Sequence, residues 1–342
     1  MARKKSTVTI QDVAAAAGVS VSTVSRVLND KDDVAEETYE NIQRIIRELG
    51  YTSSLAAKSM RSRKTNVIGL VVPDLTQSFS LNVVKGVNRA IEGLDYDLLV
   101  YTGGDSTDRT WAVRERRYVS LLNGSITDGI IVVTPTAETF STHFPLVAID
   151  PHLDSADFPA VIATNRIGAM SAMEYLLGLG HRDIGFIGGR PDLQSAIRRL
   201  EGYKDSLRQA NISLNPNFIQ IGDFTQKTGY HCAKNLLALP ERPTAIFAAN
   251  DKSAIGAIDA IIDSGLSVPG DISIVGFDNI EEASYVHGGL TTVDQFIGDM
   301  GRVAVEMLVA LIQNQPIENS IYRMPTRLLV RNTCQALVAK AG

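Results

Sequence analysis

Cysteine is scarce: Cys232 and Cys334 are the only two in 342 residues, they form no Cys-x-x-Cys pair, and no histidine stands at zinc-finger spacing from either. That usage argues against a disulfide framework or a structural zinc site and fits idle thiols in a reducing compartment. No run of about 18 apolar residues occurs, which excludes a membrane-spanning helix. Arg3, Lys4 and Lys5 lead into Ser6-Thr7-Val8-Thr9 rather than an apolar stretch, so no secretory signal is expected and the chain reads as soluble and cytoplasmic. Catalytic signatures are missing as well: there is no Gly-x-Ser-x-Gly, no Gly-Lys-Ser/Thr and no His-Glu-x-x-His. His181, in Leu179-Gly180-His181-Arg182, reads as a hydrogen-bonding residue at a helix-to-strand turn. Neither catalysis nor a cofactor or metal is expected.

What is present is apolar mass and an uneven charge. With 44% apolar residues the chain has material for more than one core, so a small module and a large one are expected. The net charge of −5 hides an asymmetry: Met1 to Lys64 carries 11 basic against 8 acidic residues, or +3, leaving −8 on the remainder. A basic module on an acidic body is an electrostatic footprint of nucleic-acid binding, although +3 alone is also ordinary surface variation.

Thr9-Ile10-Gln11-Asp12 has the form of a capping box, with Thr9 accepting from the third helical amide and Asp12 reaching back. The helix it starts runs through Ala14–Ala17 to Gly18, a natural stop. Ser20 then caps a second helix, Val21–Leu28, and a third is expected over about Glu36–Glu48, with Ile42, Ile45, Ile46 and Leu49 as its apolar stripe. Two short helices joined by Gly18, Val19 and Ser20 describe a helix-turn-helix. Its second helix would enter the major groove of double-stranded DNA N-terminus first, presenting Val21, Ser22 and Arg26 to base edges. Arg26 suits guanine, Ser22 can donate or accept, and Val21 can touch a thymine methyl. Val24, Val27 and Leu28 face the opposite way and are expected to pack the module.

Thr9-Ile10-x-Asp12-Val13-Ala14, Ala17-Gly18-Val19-Ser20, Thr23-Val24-Ser25-Arg26-Val27-Leu28-Asn29 and Leu49-Gly50-Tyr51 closely resemble the headpiece of the lac repressor (LacI/GalR) family. The resemblance implies phosphate contacts from Thr9, Thr23 and Asn29. It also gives a role to the small, polar segment from Thr52 to Arg63, which would otherwise read as a flexible linker. In the family this segment becomes a hinge helix when two subunits meet over DNA and wedge a leucine into the minor groove. Met60 stands at that position here, with Lys58 and Arg61 beside it, and methionine is an accepted wedge. Ser53 and Ser54 replace the family's usual Pro-Asn.

After Lys64 short apolar runs alternate with amphipathic stretches, the pattern of parallel sheets with crossover helices. Strands are expected at Val67–Val72, Leu98–Tyr101, Gly129–Val133, Leu146–Ile149, Ile184–Ile187, Phe218–Ile221, Ala245–Ala248 and Ser273–Val275. Helices are expected at Ser80–Leu94, Arg109–Leu122, Arg166–Leu179, Ile197–Ala210, Lys227–Leu239, Lys252–Ser264 and Gly298–Gln313. The fold class is therefore α/β: an all-α helix-turn-helix headpiece plus a core of two doubly wound parallel sheets. Ligands of such sheets bind beyond the carboxyl ends of strands, where Asp150, Asn250-Asp251 and Asp278 stand. Such groups suit sugar hydroxyls, which both donate and accept, while Asp251 reads better as a helix cap.

Leu179-Gly180-His181, Ile187-Gly188-Gly189, Arg199-Leu200-x-Gly202-Tyr203, Ala249-Asn250-Asp251, Val275-Gly276-Phe277-Asp278 and Leu290-Thr291-Thr292 extend the resemblance over about 66–334. It implies a bilobed core like a periplasmic sugar-binding protein, with a small-molecule effector between the lobes, facing Phe79, Ser80, Asp150, Ser195, Arg199, Phe224, Asn250, Asp278 and Gln295. Gln77-Ser78-Phe79-Ser80 replaces the Asn-Pro-Phe-Phe of many members, and Leu193 replaces the arginine of the purine-binding branch; both favour a sugar or sugar derivative. The implied division is headpiece 1–51, hinge 52–65 and core 66–334, with one lobe about 66–164 plus 294–323 and the other about 165–293 plus 324–334. Only eight residues follow Cys334, with no leucine heptad, so a homodimer rather than a tetramer is expected on a palindromic operator. The body alone would also fit a solute-binding protein; the helix-turn-helix weighs against it.

Overall fold

The structure, a computed structural model, describes residues 8–28, 33–51, 64–103, 111–123, 126–140, 144–152 and 158–337. The chain divides into two compact units, 1–65 and 66–342.

The first unit holds helices α1 (Ile10–Ala17), α2 (Val21–Leu28) and α3 (Glu36–Leu49). The capping box forms: Thr9 N donates to Asp12 Oδ2 at 2.7 Å and Asp12 N to Thr9 Oγ1 at 3.4 Å. Aspartate thus closes the box despite its shorter reach. Gly18 ends α1 at φ 66°, a left-handed conformation that costs glycine nothing. Val13, Ala14, Val24, Val27, Ile42 and Ile45 form the buried cluster. Ile46 lies at its edge, and Leu49, on the last turn of α3, is exposed.

In the second unit two six-stranded sheets form. The first contains β1 (Val67–Val72), β2 (Asp97–Thr102), β3 (Gly129–Val133), β4 (Leu146–Ile149), β5 (Ala160–Ala163) and β11 (Ile321–Met324). Its order is β11-β5-β4-β3-β1-β2, parallel throughout. The second contains β6 (Ile184–Ile187), β7 (Ile219–Gln220), β8 (Ala245–Ala248), β9 (Ser273–Asp278), β10 (Thr291–Asp294) and β12 (Arg327–Leu329). Its order is β12-β10-β9-β8-β6-β7, parallel except where β12 runs against β10. Strands covered on both faces are apolar at nearly every position, which is why β1, β3, β4, β6 and β8 coincide with the runs expected from sequence.

The helices are α4 (Ser78–Ile91), α5 (Trp111–Leu122), α6 (Asn165–Gly178), α7 (Gln194–Gln209), α8 (Gln226–Leu237), α9 (Asp251–Ile262) and α10 (Ile297–Ile312). Four strands escape the sequence pattern. β5 and β11 are four-residue pieces, β10 begins with two threonines that are nonetheless fully buried, and β12 is a three-residue edge strand. The run Phe218–Ile221 also changes character: Pro216–Phe218 is a turn of 3-10 helix and only Ile219–Gln220 pairs. Proline at the start of that turn fixes its φ and removes a ladder donor. Among the described residues no helix is long and apolar enough to cross a membrane.

Candidate functional site

On α2, burial of Val24 and Val27 turns Ser22 and Arg26 outward. Ser20 Oγ accepts Thr23 N at 3.1 Å and lies 2.6 Å from Ser22 Oγ, so the N-terminus is capped while one hydroxyl group stays at the surface. Arg26 Nε lies 3.5 Å from the Asp33 carboxylate, with both side chains 58% exposed. A pair that open to water contributes about 0–1 kcal/mol and leaves the guanidinium available. Val21 is half-buried against the headpiece cluster, and Thr23 is half-buried through its bond to Ser20. The Thr9 hydroxyl donates to Asp12 Oδ2 at 2.7 Å; the two hydrogen bonds from Thr9 hold the Asp12 carboxyl below its ordinary range. Asn29, Lys58, Met60 and Arg61 lie outside the described residues.

The second unit contains a cleft of about 400 Å³ at the carboxyl ends of strands from both sheets. Phe79, Asp150, Ser195, Arg199, Phe224, Asn250, Asp278 and Gln295 line it. Ser80 does not. It falls on the i, i+3, i+7 stripe with Val83 and Val87, which packs α4 against the first sheet, and it is 1% exposed. The expectation for Ser80 is corrected on that ground; Ser78 and Gln77 take the place at the rim.

Arg199 organises the floor. Its Nε donates to Asn165 Oδ1 at 2.9 Å, and its Nη1 to Ala249 O at 2.5 Å and Asp278 Oδ1 at 3.1 Å. Nη2 donates to Gln295 Oε1 at 3.4 Å, while Gln295 Nε2 donates to Asp278 Oδ1 at 2.6 Å. The guanidinium lies 3.7 Å from the Phe277 ring centroid and 5.8 Å from that of Phe224. Burial pushes the Asp278 carboxyl up to about 6, outweighing the opposing pull of Arg199. A buried, hydrogen-bonded arginine–carboxylate–amide set of this kind is a rigid polar anchor of the sort hydroxylated ligands require.

Asn250 caps α9, accepting Ser253 N at 3.0 Å, and donates through Nδ2 to Phe224 O at 3.0 Å. It thereby supports the Phe224 backbone, which sits at a left-handed φ of 71°. Asp251 is not the cap that the sequence suggested. Its fully buried carboxylate accepts Thr292 Oγ1 at 2.5 Å and Ile280 N at 2.9 Å, tying the start of α9 to β10 and to the loop after β9. Burial, then the charge of Asp278, raises its pKa. Gly276 is required beside it, since a Cβ there would stand 2.3 Å from Asp251 Oδ1.

Several lining residues have no sequence signal, among them Asp74, Thr134, Thr136, Arg190, Asp223 and Lys252. Two of these are cations, so the leucine at position 193 does not leave the cleft without basic groups beyond Arg199. Arg190 is held by Asp192, through Nε at 3.1 Å and Nη2 at 2.6 Å, and Lys252 by Glu282 at 2.8 Å. Behind the wall, fully buried Glu115 accepts the amides of Thr136 at 3.0 Å and Ala137 at 2.8 Å, fixing the loop after β3; burial raises its pKa. Among the described residues no group of histidine, cysteine and carboxylate side chains could hold a metal ion.

A profile of bacterial regulatory proteins of the lacI family matches residues 9–54, and one of periplasmic binding protein-like domains matches residues 173–334. The chain is 33% identical over 336 residues to the HTH-type transcriptional repressor PurR of Vibrio campbellii, covering 96% of this chain and 99% of that one. It is 35% identical over 332 residues to the ribose operon repressor of Haemophilus influenzae, covering 95% and 96%. Among solved structures, the lac repressor dimer bound to operator and the anti-inducer ONPF is similar with a TM-score of 0.84 at 28% identity, covering 97% of this chain and 100% of that one.

Proposed function

The chain belongs to the LacI family of bacterial regulatory proteins, and from that membership we propose that it is a cytoplasmic transcriptional repressor of carbohydrate-related genes. It binds a palindromic operator as a homodimer, under control of a sugar or sugar derivative in the cleft. One observation carries the reading: a single chain joins a helix-turn-helix with Ser22 and Arg26 exposed to a core whose sugar-sized cleft is built around buried Arg199 and Asp278.

In this reading α2 lies in the major groove with Arg26, Ser22 and Val21 toward bases, while Thr9, Thr23 and Asn29 meet phosphates. Residues 52–65 form the hinge, Met60 wedging into the minor groove between Lys58 and Arg61. Arg199, Asp278 and Gln295 hold ligand hydroxyls, Phe224 offers a ring face, and Asp150 and Phe79 close the opposite wall. Asn250 acts there chiefly by supporting Phe224. Because the two sheets both contribute to the cleft, a ligand that bridges them favours one relative arrangement, and only that differential affinity can change operator binding. The core 66–334 divides into lobes of about 66–164 plus 294–323 and 165–293 plus 324–334. No catalytic step is assigned to any residue.

The test has two arms. A thermal-shift screen of sugars and nucleosides is expected to find a sugar that raises the melting temperature by mass action. Operator duplexes recovered by selection are expected to bind with affinity that falls steeply with salt, as phosphate contacts release counterions, and that changes when that sugar is added. A flat salt response overturns the DNA reading; stabilisation by a nucleoside and by no sugar overturns the ligand class.

A further inference from the structure

A second recess, of about 360 Å³, shares Asp150 and Ser195 with the cleft and lies where the chain passes between the two sheets. Its walls are the connection from β5 into α6, the first turn of α7, and β11. Three guanidinium groups line it, from Arg166, Arg198 and Arg323, against a single carboxylate, that of Asp150.

The three arginines are not equally committed. Arg166 Nε donates to Asp205 Oδ2 at 2.6 Å, and Arg198 Nη1 donates to Glu201 at 2.9 Å. The Arg323 side chain makes no hydrogen bond or ion pair with any described residue, and the register of β11 sets Arg323 beside Ile162 of β5, within the same wall. Two helix N-termini open on the same recess, and neither has a side-chain cap. The first-turn amides of α6 and α7 are therefore donors without helical acceptors. Ser195, in the first turn of α7, is 5% exposed, and its hydroxyl has no hydrogen-bond partner among the described residues.

Arg166 and Arg198 bring guanidiniums that are already paired with Asp205 and Glu201; the Arg323 side chain, two helix ends without side-chain caps and the Ser195 hydroxyl add donors that have no side-chain acceptor among the described residues. We propose that this recess is a second ligand site, distinct from the sugar cleft, that takes a phosphoryl group, either free phosphate or the phosphomonoester of a small metabolite. Arginine forks pair bidentately with phosphoryl oxygens, and helix N-termini add amide donors and a favourable dipole. A carboxylate has two oxygens for these donors; a phosphoryl group offers three or more. Asn165, which also lines the recess, accepts Arg199 Nε, so the site stands one hydrogen bond from the anchor of the sugar cleft.

Isothermal titration of the full-length protein with inorganic phosphate and, separately, with glycerol 3-phosphate tests this at fixed ionic strength, without operator or sugar. Saturable binding at one site per chain is expected, weakened roughly tenfold by Arg323→Ala and by Arg198→Ala. Both side chains are at or near the surface, and unchanged thermal melting of each variant verifies that it folds. Tighter binding of the monoester assigns the ligand to a phosphorylated metabolite; equal or weaker binding assigns it to free phosphate. Binding that fails to saturate, or that both substitutions leave unchanged because phosphate sits elsewhere, such as on the headpiece, overturns the proposal. Since neither DNA nor sugar is present, that failure leaves the regulatory reading intact.

Discussion

Asp278 Oδ1 accepts Arg199 Nη1 at 3.1 Å with the two side chains only 9% and 4% exposed, so each charge is compensated chiefly by the other. Removing one partner from a buried pair costs about 3–5 kcal/mol, because the remaining charge is left in a poorly solvating interior. Asp278→Ala is therefore expected to lower stability as well as ligand affinity. Asp278→Asn, which keeps an acceptor oxygen, should lose affinity with a smaller stability loss. Urea unfolding beside the sugar titration separates the two, and equal destabilisation by both substitutions would count against the pairing argument.

The same carboxyl predicts a pH signature. Its folded-state value is raised from the ordinary 3.8 to about 6. Between those values the folded state binds more protons than the unfolded state, so stability from this group is complete below about pH 4 and is lost as pH rises toward 6. The melting temperature of the wild-type protein minus that of Asp278→Asn should fall across this window and level off above it. A difference that rises with pH would sink the assignment.

Glu115 provides the acceptors for the buried Ala137 amide and for the half-buried amide and hydroxyl of Thr136. Each buried donor stripped of its partner costs about 1–3 kcal/mol, so Glu115→Ala should lower unfolding free energy by roughly 3 kcal/mol or more. Because Thr136 lines the cleft, sugar affinity should weaken too. Chemical denaturation checks the first effect and the ligand titration the second; a neutral Glu115→Ala would mean that the loop after β3 is held by other contacts.

For the headpiece, Arg26→Ala should leave thermal stability nearly unchanged, since its exposed pair with Asp33 contributes about 0–1 kcal/mol. Discrimination at one operator position per half-site should drop by about 1–3 kcal/mol. Binding to a panel of single-base operator variants measures this. Uniform weakening across the panel would reassign Arg26 to a phosphate contact.

What could be read before folding was local. Thr9 with Asp12, Ser20, Gly18 and the apolar runs of β1, β3, β4, β6 and β8 declare themselves because capping, chain reversal and two-sided burial act over a few residues. Asp150, Asn250 and Asp278 stood out because polar residues directly after apolar strands fall at sheet ends. The weak strands β5, β10, β11 and β12 were not legible: their pairing partners, not their composition, make them strands.

Chain order and local chemistry thus determined the helix-turn-helix, the alternating core and the strand-end positions of Asp150, Asn250 and Asp278, while the rest of the cleft-facing set followed from the family resemblance. Tertiary structure decided the rest. It turned Ser80 inward beside Val83 and made Asp251 a buried tie to Thr292, 41 residues away. It also brought Arg190 and Lys252 into the cleft and set Arg323 against Arg166 and Arg198 in one recess. The physical reason is range. Helix caps and strand burial depend on neighbours a few residues away, whereas the partner of a buried charge is whichever group the fold carries to it. Asp278 was legible as a polar residue after a strand and Arg199 only through the family resemblance; that they hold one another in the cleft was decided by the fold alone.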